Sequence, residues 1–330
     1  MIKTEITGIG YYVPEQVITN KDLEQKMDTT NEWIVSRSGI QERHWVRNGM
    51  CTSDLAFEAS KKAMEAANVS PKEIDLVIVG TISSDYFFPG VSAQLQDLLG
   101  LNNVGAFDIK AACSAFVYTL SIGDQFIRSG MYDTILIVGA EVQSRYLNIS
   151  SEGRDIAVLF GDGAGAAILQ KSDGKRGILS THLHCQGANL KNLWMEAPGS
   201  SENCQITTIR LEEGRHFPYM NGREVFRHAV LRFPEVIQES LDSNGLTLDD
   251  VALIIPHQAN LRISQAVAKR LGVGMDKVFS NIHKYGNTTA ASIPIAFCEA
   301  IEEKRISKGD IVILASFGAG FTWASAAIRW

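Results

Sequence analysis

A chain of 330 residues, 45% hydrophobic and 21% charged, can bury a substantial core and has room for two domains or one large α/β unit. A formal net charge of −6 excludes general nucleic-acid binding, and no apolar run approaches the roughly 18–20 residues that span a bilayer. Five scattered cysteines (Cys51, Cys113, Cys185, Cys204 and Cys298) contain no C-x-x-C pair, so neither a disulfide framework nor a cysteine zinc site is indicated and a reducing cytoplasm fits best.

The N-terminus alternates like a strand and lacks a signal-peptide core. Asn20–Met27 reads as a short capped helix, and the polar stretch 28–47 carries Trp33 and Arg37. Thr52 or Ser53 is expected to cap an Ala-rich helix running to about Asn68. Ile74–Gly80 is a fully apolar strand, and Pro89–Leu99 a helix closing at Gly100. The apolar strand ending at Ile109 leads through two small residues to Cys113. A helix-period run follows: Phe116, Val117, Leu120, Ile122, Phe126 and Ile127. Cys113 thus stands where a buried strand becomes a buried helix. The unpaired N–H groups and positive dipole end there favour a thiolate; the other reading is a small apolar Cys in the core. After the strand Thr134–Gly139, the segment Ile156–Leu169 contains GDGAGA. A strand rather than a helix follows it, which argues against a dinucleotide loop.

The pattern then recurs. Val251–Pro256 resembles Ile74–Gly80, each after an acidic turn, and Leu271-Gly272-Val273 echoes Leu99-Gly100-Leu101. Lys308-Gly309-Asp310 echoes Met131-Tyr132-Asp133 before a buried strand, and Phe317-Gly318-Ala319-Gly320 echoes Phe160-Gly161-Asp162-Gly163. Two copies of one βαβαβ-type unit are expected, 1–172 and 173–330, with the irregular Gln186–Asn221 inserted early in the second. The repeat places the Cys113 helix opposite the helix that begins near Asn287. His257 follows the strand Val251–Pro256, and ligand sites in parallel α/β sheets lie outside the carboxyl ends of strands. Alone, His257 could make a structural hydrogen bond and Asn287 could be a turn residue. His182, His184 and Cys185 lack the further ligands that a metal site needs. Cys298 reads as core.

With these residues in hand, the chain resembles the β-ketoacyl-acyl carrier protein synthase III family of the thiolase-fold superfamily. The motifs are EWIVSRSGI at 32–40, AACSAF at 111–116, FGDGAGAA at 160–167, PHQANLRI at 256–263, HKYGNTTAAS at 283–292 and GAGFTWASAAIRW at 318–330. The resemblance implies an α/β thiolase-like fold whose two pseudo-symmetric βαβαβ halves form five layers, α-β-α-β-α. It implies decarboxylative Claisen condensation of a short acyl-CoA, acetyl-CoA foremost, with malonyl-acyl carrier protein, initiating fatty acid biosynthesis. No cofactor and no metal are expected, because the CoA thioester is a substrate; the enzyme would be a cytoplasmic homodimer.

Residue by residue, the resemblance makes Cys113 the acyl carrier and His257 and Asn287 the stabilisers of charge on the malonyl thioester oxygen. The backbone N–H groups of Cys113 and Ala319 would form the oxyanion hole. Trp33 and Arg154 match a pair that sandwiches the CoA adenine; Thr29, Arg37 and Asn260 match further CoA contacts, and Gly222 a close backbone approach. Phe88 matches a residue that reaches across the dimer and limits the acyl pocket, which implies short primers. Arg227, Arg262, Lys269 and Arg270 form a basic patch for the acyl carrier protein. Three departures stand out: Ala115 where Gly is common, Ala319 where a middle Gly is frequent, and the long 186–221 segment, which leaves primer choice open. A same-fold enzyme of specialised metabolism and a non-catalytic relative are the alternatives; the intact Cys, His and Asn argue against the second.

Overall fold

The computed structural model describes residues 3–201 and 205–330, so Cys204 lies outside the described residues. The chain begins with β1 (Thr4–Tyr12), β2 (Val17–Thr19), α1 (Asn20–Glu24), α2 (Asn31–Ser38), β3 (Glu42–His44) and α3 (Thr52–Ala67). It continues with β4 (Leu76–Gly80), α4 (Val91–Leu98), β5 (Gly105–Ile109), α5 (Ala115–Arg128), β6 (Thr134–Glu141), α6 (Arg154–Ala157) and β7 (Gly163–Lys171). Next come β8 (Gly177–Cys185), β9 (Leu193–Met195), α7 (Thr208–Glu212), β10 (Pro218–Met220) and α8 (Gly222–Asn244). The last elements are β11 (Val251–Pro256), α9 (Leu261–Leu271), α10 (Ile282–Tyr285), α11 (Ser292–Glu302), β12 (Ile311–Gly318) and β13 (Thr322–Arg329).

The first sheet has the order β1-β7-β6-β4-β5, with β4 parallel to β5 and β6, and β7 antiparallel to β6 and β1. The second has the order β11-β12-β13-β8, with β11 parallel to β12, and β13 antiparallel to β12 and β8. Strand for strand, β11, β12, β13 and β8 repeat β4, β6, β7 and β1. The counterpart of β5 shrinks to one parallel bridge between Ile254 and Val278. The chain passes from one sheet to the other between Lys171 and Gly177.

The central strands β4, β6 and β12 are buried at every position, which is why they read as unbroken apolar runs rather than alternating ones. Helices α5 and α11 fill the space between the sheets. One core there joins Ile78, Phe116 and Ile137 of the first half to Ile255, Phe297 and Leu314 of the second. Helices α3 and α4 cover the outer face of the first sheet, where Leu55, Ala59 and Leu95 meet Val77, Val79 and Val138. Helices α8 and α9 cover the outer face of the second through Phe233, Ile237 and Val267 against Ile254 and Ile313. These are the five layers, α-β-α-β-α. No helix among the described residues is long and apolar enough to cross a membrane.

Two helix starts differ from the sequence expectation. Helix α3 is capped from Cys51, whose N–H donates to the Asp54 carboxylate at 2.7 Å. Thr52 and Ser53 turn instead to Ser83 and Asp85. Helix α4 starts at Val91 because the Asp108 carboxylate, on β5, accepts from Val91 and Ser92 N–H at 2.8 Å each. A carboxylate at a helix N-terminus satisfies orphan donors and complements the dipole. Within 186–221 the chain forms the β9–β10 hairpin and α7.

Candidate active site

Cys113 lies in a 3₁₀ turn, Ala112–Ser114, between β5 and α5, and Ala112 has φ 46°. The end of β12 crosses it as bare main chain: a Cβ on Gly318 would lie 2.5 Å from Cys113 Cβ and 3.0 Å from Sγ. Only glycine lets two backbones approach so closely. Ala115 is accommodated by the mirror arrangement, its Cβ packing on Gly80, where an added Cβ would be 2.8 Å away. Ala319 also fits, because the positive φ in this turn belongs to Gly320.

Burial pushes the Cys113 thiol up to about 12, and the Glu141 carboxylate adds to the rise. The N–H groups of Ala319 and of Cys113 itself pull in the opposite direction. Cys113 stands before a helix as the sequence implies, and desolvation by burial outweighs the two N–H groups in setting the direction of its shift.

His257 follows β11 and donates its N–H to Ala315 O at 2.8 Å. Its Nδ1 lies 2.5 Å from Ser292 Oγ, while Nε2 is buried with no hydrogen-bond partner. Burial lowers its pKa to about 3, so the ring is neutral at physiological pH. Asn287 is held by main chain on both sides, its N–H donating to Leu159 O (2.8 Å) and its C=O accepting from Gly161 (3.0 Å). The FGDGAG motif is thus a backbone clamp on Asn287, and Gly161 permits it because a Cβ there would strike Tyr285 O. Thr289 N–H donates to Asn287 Oδ1 at 2.9 Å, which leaves the amide NH₂ as the remaining donor.

Cys113, His257 and Asn287 share the wall of one cavity of about 460 Å³, together with Gly318. Trp33, Arg37, Gly222, Asn260 and Arg262 line the same cavity. Other expected residues are placed differently. The Arg37 and Arg154 guanidiniums stand 4.8 Å and 5.0 Å from the Trp33 ring centre. A ring held between Trp33 and Arg154 needs two contacts of about 3.5–4.0 Å, so no slot exists until Arg154 moves. Arg154 is off the cavity wall and donates to Asp28 O at 2.5 Å. The Asn260 side chain is already committed, capping α9 at Arg262 N–H and donating to Arg37 O. Thr29 lies off the wall, its Oγ1 buried without a partner.

Phe88 is 80% exposed and reaches no part of the cavity within the chain; Phe87 and Tyr86 beside it are also exposed. The expected basic patch is divided. Arg262 is on the cavity wall, Arg227 is paired with Glu224 at 2.6 Å, and Lys269 is exposed in the last turn of α9. Arg270 lines a separate groove with Glu235, Glu239 and Asp242. His182 and His184 both pair with Glu239, at 3.3 Å and 2.6 Å. Among the described residues no cluster of three His, Cys, Asp or Glu could hold a metal.

Sequence reasoning missed several residues. Arg223 lines the cavity beside Gly222, and Leu193 and Met220 bring the inserted hairpin to its wall. Glu141, at the end of β6, is a fully buried carboxyl pushed up to about 7 by desolvation. Ser83 Oγ (2.5 Å), Gln143 Nε2 (3.2 Å) and Thr81 Oγ1 (3.3 Å) donate to it. No local pattern marks any of these.

Two sheets enclosing a pair of buried helices, with Cys, His and Asn on one internal cavity, define a protein of the thiolase-like class. Residues 107–187 and 241–330 match the two family profiles described as 3-oxoacyl-[acyl-carrier-protein (ACP)] synthase III and its C-terminal part. The chain is 47% identical to the beta-ketoacyl-[acyl-carrier-protein] synthase III of Xanthomonas campestris pv. campestris, covering 100% of this chain and 99% of that one. It belongs to the β-ketoacyl-[acyl-carrier-protein] synthase III family. The solved 3-oxoacyl-[acyl-carrier-protein] synthase III of Aquifex aeolicus VF5 is 41% identical, with TM-score 0.90 over 99% of this chain and 100% of that one. The priming β-ketosynthase of the R1128 polyketide biosynthetic pathway is 33% identical, with TM-score 0.90 over 99% and 96%.

Proposed function

We propose that this enzyme condenses a short acyl-CoA, acetyl-CoA foremost, with malonyl-acyl carrier protein and so initiates fatty acid biosynthesis. The observation that carries this reading is the buried, unpartnered Nε2 of His257 on the same cavity wall as Cys113 and Asn287. In the first step Cys113 Sγ attacks the acyl-CoA carbonyl, the carbon–sulfur bond to CoA breaks, and the thiol proton ends on the CoA sulfur. The N–H groups of Cys113 and Ala319, which face Sγ, would hold the tetrahedral oxyanion. In the second step the malonyl carboxylate leaves as CO₂, and its electron pair moves onto the thioester as an enolate. His257 and Asn287 would donate to that enolate oxygen. The enolate carbon then attacks the acyl carbon, the bond to Sγ breaks, and Cys113 regains a proton from solvent.

The halves 1–172 and 173–330 would act as the nucleophile-bearing and charge-stabilising units. Trp33, Arg37, Gly222 and Asn260 would line the CoA arm, with Thr29 and Arg154 joining after Arg154 leaves the indole. Arg227, Arg262, Lys269 and Arg270, all exposed, would be the acyl carrier protein contacts. Phe88 would enter a partner's acyl pocket in a homodimer. The reaction needs no cofactor besides the CoA thioester, and the cytoplasm supplies both substrates. Intact-mass spectrometry after incubation with acetyl-CoA tests the first step: an acyl adduct absent from Cys113→Ala is expected, and an adduct that survives this change overturns the assignment.

The likeness to a polyketide priming synthase favours a second reading, in which other acyl-CoAs are preferred. A panel of acyl-CoAs of graded length, with malonyl-acyl carrier protein, separates the two. Preference for long or aromatic primers would overturn the acetyl assignment.

A further inference from the structure

The orientation of Asn287 is fixed by one backbone N–H, and His257 needs an equivalent device before Nε2 can donate. A neutral imidazole carries one proton, and only the Nε2–H tautomer presents a donor to the cavity. Among the described residues His257 Nδ1 has one hydrogen-bond partner, Ser292 Oγ, at 2.5 Å, and both residues are 2% exposed. Gln258 N–H donates to the same Oγ at 3.3 Å. The Gln258 side chain anchors that stretch, donating to Pro256 O and Phe279 O and accepting from Asn281 N–H. Among the described residues Oγ has no further partner.

A serine hydroxyl has one hydrogen to give and two lone pairs. If Nδ1–H donated to Ser292, the buried hydroxyl hydrogen would find no acceptor, at a cost of about 1–3 kcal/mol. If Ser292 O–H donates to Nδ1, its oxygen still accepts from Gln258, and every group on that side is satisfied. The ring proton then sits on Nε2, the unpartnered nitrogen of a residue on the cavity wall. We propose that Ser292 is the positioning residue that holds His257 in its Nε2–H tautomer, making it a hydrogen-bond donor in decarboxylation and not a base for Cys113. Burial, which keeps the ring neutral, gives this choice of tautomer its consequence. The role rests on the reading of His257 given above.

The test separates the two half-reactions. Cys113 acylation is followed by intact mass and decarboxylation by CO₂ release from malonyl-acyl carrier protein, in wild type, Ser292→Ala, Ser292→Thr and His257→Ala. Ser292→Ala should keep acylation near the wild-type rate and lose about 10²-fold in decarboxylation, the scale of a misdirected oxyanion donor. Ser292→Thr, which retains the hydroxyl, should recover most of that loss. ¹⁵N spectra of the wild-type ring should show the proton on Nε2, and those of Ser292→Ala a mixture. A wild-type ring protonated on Nδ1, or equal loss of both half-reactions in Ser292→Ala, overturns the proposal. Full decarboxylation by His257→Ala would instead overturn the role of His257 itself, whatever the spectra show.

Discussion

The turns Ala112–Ser114 and Thr289–Ala291 reach the middle layer by the same backbone route and carry different chemistry. Each opens on a residue with positive φ, 46° at Ala112 and 48° at Thr289, makes one 3₁₀ turn and runs into a buried helix. Each lies against the other half of the molecule, Cys113 under Gly318 of β12 and Ala290 under Gly139 of β6. Non-glycine residues in the left-handed region are costly and persist where surrounding packing over-determines them. Here the duplication keeps the route, and the side chains on it diverge. The first turn carries Cys113, the proposed nucleophile; the second carries no such side chain but is flanked by Asn287 and Ser292. The strand ends diverge likewise: β6 finishes on the buried Glu141, and β12 on Gly318, whose missing side chain leaves room for Cys113. A symmetric scaffold thus holds an asymmetric site, and the proposed mechanism assigns attack to one half and stabilisation of the enolate to the other.

Removing the nucleophile breaks this division most severely. Cys113→Ala should abolish the acyl adduct and lower turnover by at least about 10³-fold, read by intact mass and product formation. Asn287→Ala should leave acylation nearly unchanged and cost decarboxylation about 10²–10³-fold. Equal losses in both steps would show that the halves do not divide the work as described. The glycines under the two turns sharpen the contrast. Gly318→Ala and Gly139→Ala should each destabilise the fold by about 1–3 kcal/mol through overpacking, measured by denaturant unfolding. Gly318→Ala alone should also block acylation at a temperature where both variants remain folded.

Local patterns made much of the scaffold legible. The apolar runs of β4, β6 and β12, the repeat, and the positions of Cys113, His257 and Asn287 near the sheet edges all come from residues close together in sequence. What escaped is set by distant partners. Asp108 decides where α4 starts, although nothing near Gly90 announces it. The Arg154 guanidinium occupies the face of Trp33 that a planar ligand was expected to take. Arg270 turns to a different groove from Arg262 although both lie on α9, because eight residues are not a whole number of helical turns. For Cys113, its place before a helix is visible in the sequence, whereas its close approach to Gly318 from the far end of the chain is not. The single bridge that replaces β5 in the second half leaves no trace in residue type.

A pH-dependent effect isolates Glu141, the carboxyl on which β6 ends where β12 ends on Gly318. Burial raises Glu141 from 4.5 to about 7, so the folded protein holds this proton more tightly than the unfolded chain does. The resulting stabilisation is fully present below about pH 4.5 and is lost as pH rises through about 7, on the order of 3 kcal/mol in all. His257 acts with the opposite sign, since its lowered pKa contributes stability above pH 6.5 that is lost as pH falls toward 3. The two windows overlap, so the stability of the wild type alone does not separate them. Comparison with Glu141→Gln does, because the His257 contribution is common to both proteins and cancels. The stability of Glu141→Gln relative to wild type should therefore rise between pH 4.5 and 7 and stay level above, measured by urea unfolding at each pH. A difference that is flat across this range would mean that Glu141 is ionised in the folded state. Its Ser83, Thr81 and Gln143 donors would then outweigh its burial, and the first half would keep a fixed negative charge that opposes ionisation of Cys113.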